Sequence, residues 1–157
     1  MAGHSYTATI SWRRDDGDFA KGRYSRGHVW RFDGGVEVPA TASPQVVPRP
    51  FTVDAAVDPE EALVASLSSC HMLTFIDMAR RGGFVVDAYD DAAEGVMEKN
   101  EAGRMWVSDV TLAPRIVFSG PAPAPDELAR LHEAAHDACF ISNSVRTRVT
   151  VAPPATG

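Results

Sequence analysis

The chain has 157 residues, 45% of them apolar and 23% charged, which excludes a disordered polymer and fits one packed domain over residues 1–157. A net charge of -6, with carboxylates spread along the chain, leaves no basic footprint for nucleic acid. Met1-Ala2-Gly3-His4-Ser5-Tyr6 lacks the basic and apolar regions of a secretory signal, and no run is expected to reach the length of a bilayer span, so the expectation is a cytoplasmic protein without membrane partners.

Tyr6, Ala8, Ile10 and Trp12 alternate across residues 5–14, which predicts a half-buried strand. Asp15-Asp16-Gly17-Asp18 is a turn, and the segment from Phe19 to His28, polar and rich in small residues, is a loop. His28 to Phe32 and Val36 to Val38, joined through Asp33-Gly34-Gly35, form a hairpin. Pro39, Pro44, Pro48 and Pro50 then remove backbone donors, so residues 39–57 cross the surface irregularly. Asp58-Pro59-Glu60-Glu61 is a helix start, with a capping Asp, a Pro at the first helical position and two carboxylates against the positive end of the dipole.

That helix runs unbroken to Arg80 before Gly82-Gly83 ends it. Leu63, Leu67, Cys70, Thr74 and Met78 share one face while other apolar residues fill the rest, a pattern expected of a buried helix. Phe84 to Tyr89 and Gly95 to Glu98 are strands, followed by a turn at 99–103 and a longer strand over 105–118 interrupted near Pro114. After a proline-rich linker, Asp126-Glu127 opens a second helix reaching Cys139, and Val145, Thr147, Val149 and Val151 alternate in a last strand. The order β-ββ-α-βββ-α-β defines an α+β fold.

Two cysteines in a reducing compartment are more often catalytic, redox-sensing, metal-binding or simply buried than a standing staple. Cys70 lies in mid-helix within Ser68-Ser69-Cys70-His71-Met72, and Cys139 ends the second helix within His136-Asp137-Ala138-Cys139-Phe140. If the helices pack together the sulfurs approach bridging distance, which the sequence permits without requiring. A reactive cysteine must ionise, so a cation is sought, and Lys21-Gly22-Arg23-Tyr24-Ser25-Arg26-Gly27-His28 offers two arginines that Glu60 would hold in place. Ten residues of helix, about 15 Å of rise, separate Glu60 from Cys70. Either the helix bends, or the site is built across two chains; the second reading is preferred.

Asp58-Pro59-Glu60-Glu61 followed by Cys70, with Ala135-His136-Asp137-Ala138-Cys139 and Ser142-Asn143-Ser144, resembles the OsmC/Ohr family of hydroperoxide reductases over most of residues 5–151. The resemblance implies an OsmC-like fold of antiparallel sheets with two central helices in an intertwined homodimer. It matches Cys70 to the peroxidatic cysteine, Cys139 to the resolving one and Glu60 to the site glutamate, with Arg26 first and Arg23 second for the site arginine. It also implies organic hydroperoxides as substrates, a dithiol or lipoylated protein as reductant, a Cys70 sulfenic acid that condenses with Cys139, and neither metal nor organic cofactor. Phe140-Ile141 stands where the organic-hydroperoxide branch usually carries Pro-Tyr. No role follows for His28 or His71.

Two other classes of function compete. His132, His136 and Cys139 recur at i, i+4 and i+7, with Cys70-His71 as further ligands, as in a metal-binding protein. A non-catalytic small-molecule binder of the same fold is the third reading. Glu61 is taken as a dipole partner, and Trp12, Trp30 and Phe75 as core or pocket wall.

Overall fold

The alternation at the N-terminus produces a shorter strand than its period suggests, because Asp15 turns the chain early: its carboxylate accepts from the backbone of Gly17 and Ser25 at 3.0 Å each. In this computed structural model, which describes residues 3–153, the strand is β1 (Ala8–Ser11), paired antiparallel with β2 (His28–Phe32), which pairs in turn with β3 (Glu37–Ala40). Ile10 faces Trp30 and Trp30 faces Val38 across the ladder. The hairpin turn needs Gly35, whose φ of +82° is open to glycine at no steric cost. Within the expected loop a short 3-10 turn, Phe19–Lys21, is capped by Asp18. The irregular stretch after β3 is fixed by Thr41, whose N–H donates to the Val57 carbonyl and whose hydroxyl accepts from Val53 N–H.

Residues up to Ala62 form one compact unit and those from Leu63 onward a second. Helix α1 (Pro59–Arg81) starts in the first and has its body in the second. A reciprocal box begins it: Asp58 Oδ1 accepts from Glu61 N–H at 2.8 Å and Glu61 Oε2 accepts from Asp58 N–H at 3.1 Å. Asp58 thus caps the helix as expected, and Glu61, expected only to meet the dipole, closes the cap from the other side.

Two expectations for α1 need correction. The helix is long and apolar enough to cross a membrane, contrary to the reading that no run reaches that length. Nor is it buried all round: its buried residues are Leu67, His71, Phe75 and Ala79, one stripe at four-residue spacing, while Leu73 is 63% exposed. Leu67 belongs to the predicted face, but beyond it the stripe falls one residue later, so His71, Phe75 and Ala79 and not Cys70, Thr74 and Met78 occupy the core positions.

What the stripe meets divides the second unit into two cores. Leu67 packs with Val110 and Leu112, flanked by Val149, Val151 and Ile141. Phe75 and Ala79 pack with Ala135, flanked by Phe84, Ile116, Phe118 and Leu131. The long strand expected over 105–118 is two strands in two sheets. Strand β6 (Met105–Leu112) lies between antiparallel β5 (Glu94–Lys99) and parallel β8 (Arg148–Val151), whereas β7 (Pro114–Ser119) pairs with β4 (Val85–Asp91). The change of sheet falls at Ala113-Pro114, where Ala113 N–H donates to the Asp91 side chain at 2.6 Å and Pro114 has no N–H to give. Helix α2 (Pro125–Ala138) starts on Pro125 and carries Asp126 and Glu127 in its first turn.

Candidate active site

Cys70 sits in the middle of α1, part-exposed, and its carbonyl accepts from the Thr74 hydroxyl as well as serving the helix. Cys139 is not in α2 but caps it, with extended backbone at φ -70° and ψ 114°, and is fully buried. Asn143 holds this corner. Its side-chain amide donates to the carbonyls of Asp137 at 2.8 Å and Cys139 at 3.0 Å, and its backbone N–H also reaches the Cys139 carbonyl. These bonds satisfy carbonyls that the end of α2 would leave unpaired. The Ser142-Asn143-Ser144 motif thus has a structural reason: it forms the 3-10 turn that seats Cys139.

The two thiols are free, and each acts on the other's ionisation. Burial pushes the Cys70 thiol up, and its bond and charge interaction with Cys139 push it further. Burial also raises Cys139, but hydrogen bonds from Cys70, from Ser142 and from the Ile141 backbone outweigh it and bring Cys139 below the ordinary thiol value. Of the two, Cys139 is the thiol whose surroundings favour ionisation and Cys70 the one whose surroundings oppose it. The sequence brought out both cysteines but gave no sign of which would ionise first.

Arg26 is half-buried. Its Nη1 donates to the carbonyls of Gly22 at 2.8 Å and Tyr24 at 2.5 Å, and the guanidinium lies 3.7 Å from the centre of the Tyr24 ring. Backbone N–H of Arg26 donates to Phe51 O. Arg23 is different: it is exposed and pairs with Asp18 at 3.4 Å. Glu60 makes no ion pair among the described residues, and its Oε2 is buried without a hydrogen-bond partner. Arg26 and Glu60 belong to the first unit, the two cysteines to the second.

His28 has a role the sequence did not disclose. Its Nε2 accepts from the Trp30 indole at 2.9 Å, and since an indole only donates, the ring proton is on Nδ1, which donates to the Arg26 carbonyl at 2.8 Å. His28 therefore pins the loop that carries Arg26. His71 Nε2 is 3.0 Å from His132 Nδ1, one donating and the other accepting, and His132 stacks on Phe75 at 4.4 Å. Burial first, then His132 and His136, push His71 down to about 4, so its ring is neutral at pH 7.

His132 turns to His71, Cys139 turns to Cys70, and among the described residues no three His, Cys, Asp or Glu side chains converge. A groove of about 630 Å³ is present beside α2, walled by Ile116, Phe118, Leu128 and Val149 with His132 and His136 at its side.

The frame is α+β, with one free cysteine inside α1 and the other capping α2. Residues 52–153 match the family model for OsmC-like protein, and the chain belongs to that family. It is 46% identical to an OsmC-like protein of unknown function from Vibrio cholerae, with a TM-score of 0.92 over 96% of this chain and 99% of that one. Two structures share the fold at lower identity. An organic hydroperoxide resistance protein from Elizabethkingia anophelis is 20% identical, with a TM-score of 0.70 over 96% of this chain and 97% of that one. The organic hydroperoxide resistance protein OhrB of Bacillus subtilis is 20% identical, with a TM-score of 0.64 over 93% of this chain and 95% of that one. No curated protein matches the chain.

Proposed function

We propose that this protein is a cytoplasmic thiol peroxidase that reduces organic hydroperoxides to alcohols through Cys70 and Cys139. The observation that carries the reading is the pair of free cysteines, one part-exposed and one sealed, each acting on the other's ionisation. Accessibility supports the division of roles, since Cys70 is part-exposed and Cys139 is sealed. The Cys70 thiolate attacks the distal peroxide oxygen, the O–O bond breaks, the alcohol leaves and Cys70 becomes a sulfenic acid. Cys139 attacks that sulfur, water leaves and the Cys70–Cys139 disulfide forms. A dithiol or lipoylated protein returns two electrons.

Ionising Cys70 needs help that this chain's own cysteine corner does not provide, because burial and Cys139 both oppose it. Arg26 is the proposed source of positive charge and Glu60 its anchor, acting across a homodimer. The unpartnered Glu60 oxygen supports this, as does the apolar surface beside each cysteine: Leu73 is 63% exposed and Phe140 81% exposed.

The test is a thiol count before and after stoichiometric cumene hydroperoxide on the native protein, Cys70→Ser and Cys139→Ser. Two thiols are expected to disappear in the native protein, none in Cys70→Ser, and a dimedone-reactive sulfenic acid is expected in Cys139→Ser. A native thiol count that peroxide leaves unchanged rejects the activity.

A further inference from the structure

The corner that seats Cys139 does more than place it. Ser142 N–H points at the Cys139 sulfur at 3.4 Å. The hydroxyl of the same residue is sealed from solvent and has no hydrogen-bond partner, and Ser142 favours the ionised form of Cys139. A buried hydroxyl without an acceptor is costly, and ionising Cys139 gives it one. We propose that Ser142 makes Cys139 the fixed leaving group of the Cys70–Cys139 disulfide, so that a thiol reductant opens the bond in one direction only, by attack on Cys70. The proposal rests on the redox pairing of the two cysteines given above.

The step balances as follows. The reductant's thiolate, having given its proton to solvent, attacks Cys70 Sγ and forms a mixed disulfide there. The Cys70–Cys139 bond breaks and its electron pair goes to Cys139 Sγ, which leaves as a thiolate held by the Ser142 N–H and hydroxyl. The second thiol of a dithiol then attacks the reductant sulfur bound to Cys70, expels the Cys70 thiolate, and departs as a disulfide. Two electrons have moved to the protein, and solvent supplies the protons. Two features act together here: attack falls on the sulfur that can be reached, and the sulfur with the better-stabilised anion leaves faster. Ser142 is thus a positioning residue for the resolving sulfur.

The experiment forms the disulfide with diamide, opens it with glutathione under limiting conditions, alkylates the freed thiol with iodoacetamide and locates both groups by peptide mass spectrometry. Glutathione is expected on Cys70 and the alkyl group on Cys139 in about nine of ten opened molecules. Adducts on Cys139, or an even division, overturn the proposal. Opening by dithiothreitol is expected to slow about fivefold in Ser142→Ala and to recover in Ser142→Thr, which keeps the hydroxyl. An unchanged rate in Ser142→Ala, or a Thr variant as slow as the Ala variant, also overturns it. Because diamide makes the bond, inertness toward peroxide rejects only the peroxidase reading, whereas failure of diamide to form the bond rejects the redox pairing itself.

Discussion

The loop around Arg26 and the corner around Cys139 solve the same problem with one side chain each. Arg26 donates to two carbonyls of its own loop, Gly22 and Tyr24, and Asn143 donates to two carbonyls at the end of α2, Asp137 and Cys139. Yet one clamp is charged and the other neutral. Backbone carbonyls compensate a guanidinium less well than an anion does, so Arg26 retains a charge that a thiolate or carboxylate would bind more strongly. Asn143 has no such second use, and its work ends with the shape of the turn. A flexible-looking loop thereby carries a cation held in reserve, while the cysteine corner is simply rigid.

That contrast breaks most readily at Arg26. Arg26→Ala is expected to lower kcat/KM for cumene hydroperoxide about a hundredfold, the loss typical of removing one preorganised donor from developing charge. Arg23→Ala is expected to stay within about twofold, since its exposed pair with Asp18 contributes little. Steady-state kinetics with dithiothreitol as reductant decide it, and the reverse ranking would transfer the role to Arg23.

The two helices next to the corner supply a pH test. His71 is fully buried and its ring is pushed down to about 4, below the 6.5 of an unfolded histidine. The unfolded chain therefore takes up a proton as pH falls through 6.5 while the folded chain does not until about 4. The stabilising contribution is present above 6.5 and is lost as pH falls between those values, by about 2 to 3 kcal/mol. The charged and titratable groups around His71 are His132 and His136, which lower it, and Asp91, which raises it. Urea unfolding at pH 7.5 and pH 4.5 should show this slope in the native protein and a flatter one in His71→Phe. Equal slopes would assign the acid sensitivity elsewhere.

Periodicity and punctuation made most of the frame legible. The Asp58 cap, the hairpin through Gly35, and both helices lie within a residue or a few of where their patterns put them. The division at Pro114 was visible as an interruption but not as a change of sheet, because the Asp91 bond that secures it is 22 residues away in sequence. Beyond Leu67 the buried stripe of α1 was misplaced by one residue for a similar reason: the partner that takes His71 into the core, His132, is 61 residues away in sequence. At the proposed site, residue type singled out Cys70 and Cys139, and the family resemblance added Arg26 and Glu60. What they could not convey was Cys139 standing outside its helix, or His28 and Asn143 holding loops through backbone carbonyls, since such bonds leave no repeat in the sequence.

The smallest expected effect isolates the neutral clamp. Asn143→Ala removes two donors from carbonyls at the end of α2, where water can replace part of the loss because Asn143 itself is exposed. A cost of about 1 to 2 kcal/mol in urea unfolding follows, within the range for a lost cap. If Asn143 acts only through shape, the variant should also form the Cys70–Cys139 disulfide with diamide more slowly, since Cys139 no longer has one fixed backbone geometry, while the pH at which the pair first ionises stays unchanged. Thiolate absorbance at 240 nm across pH separates the two. A shift in that midpoint as large as the shift in Ser142→Ala would mean that Asn143 acts on the sulfur's charge as well as on its place, and the distinction between a charged clamp and a neutral one would fail.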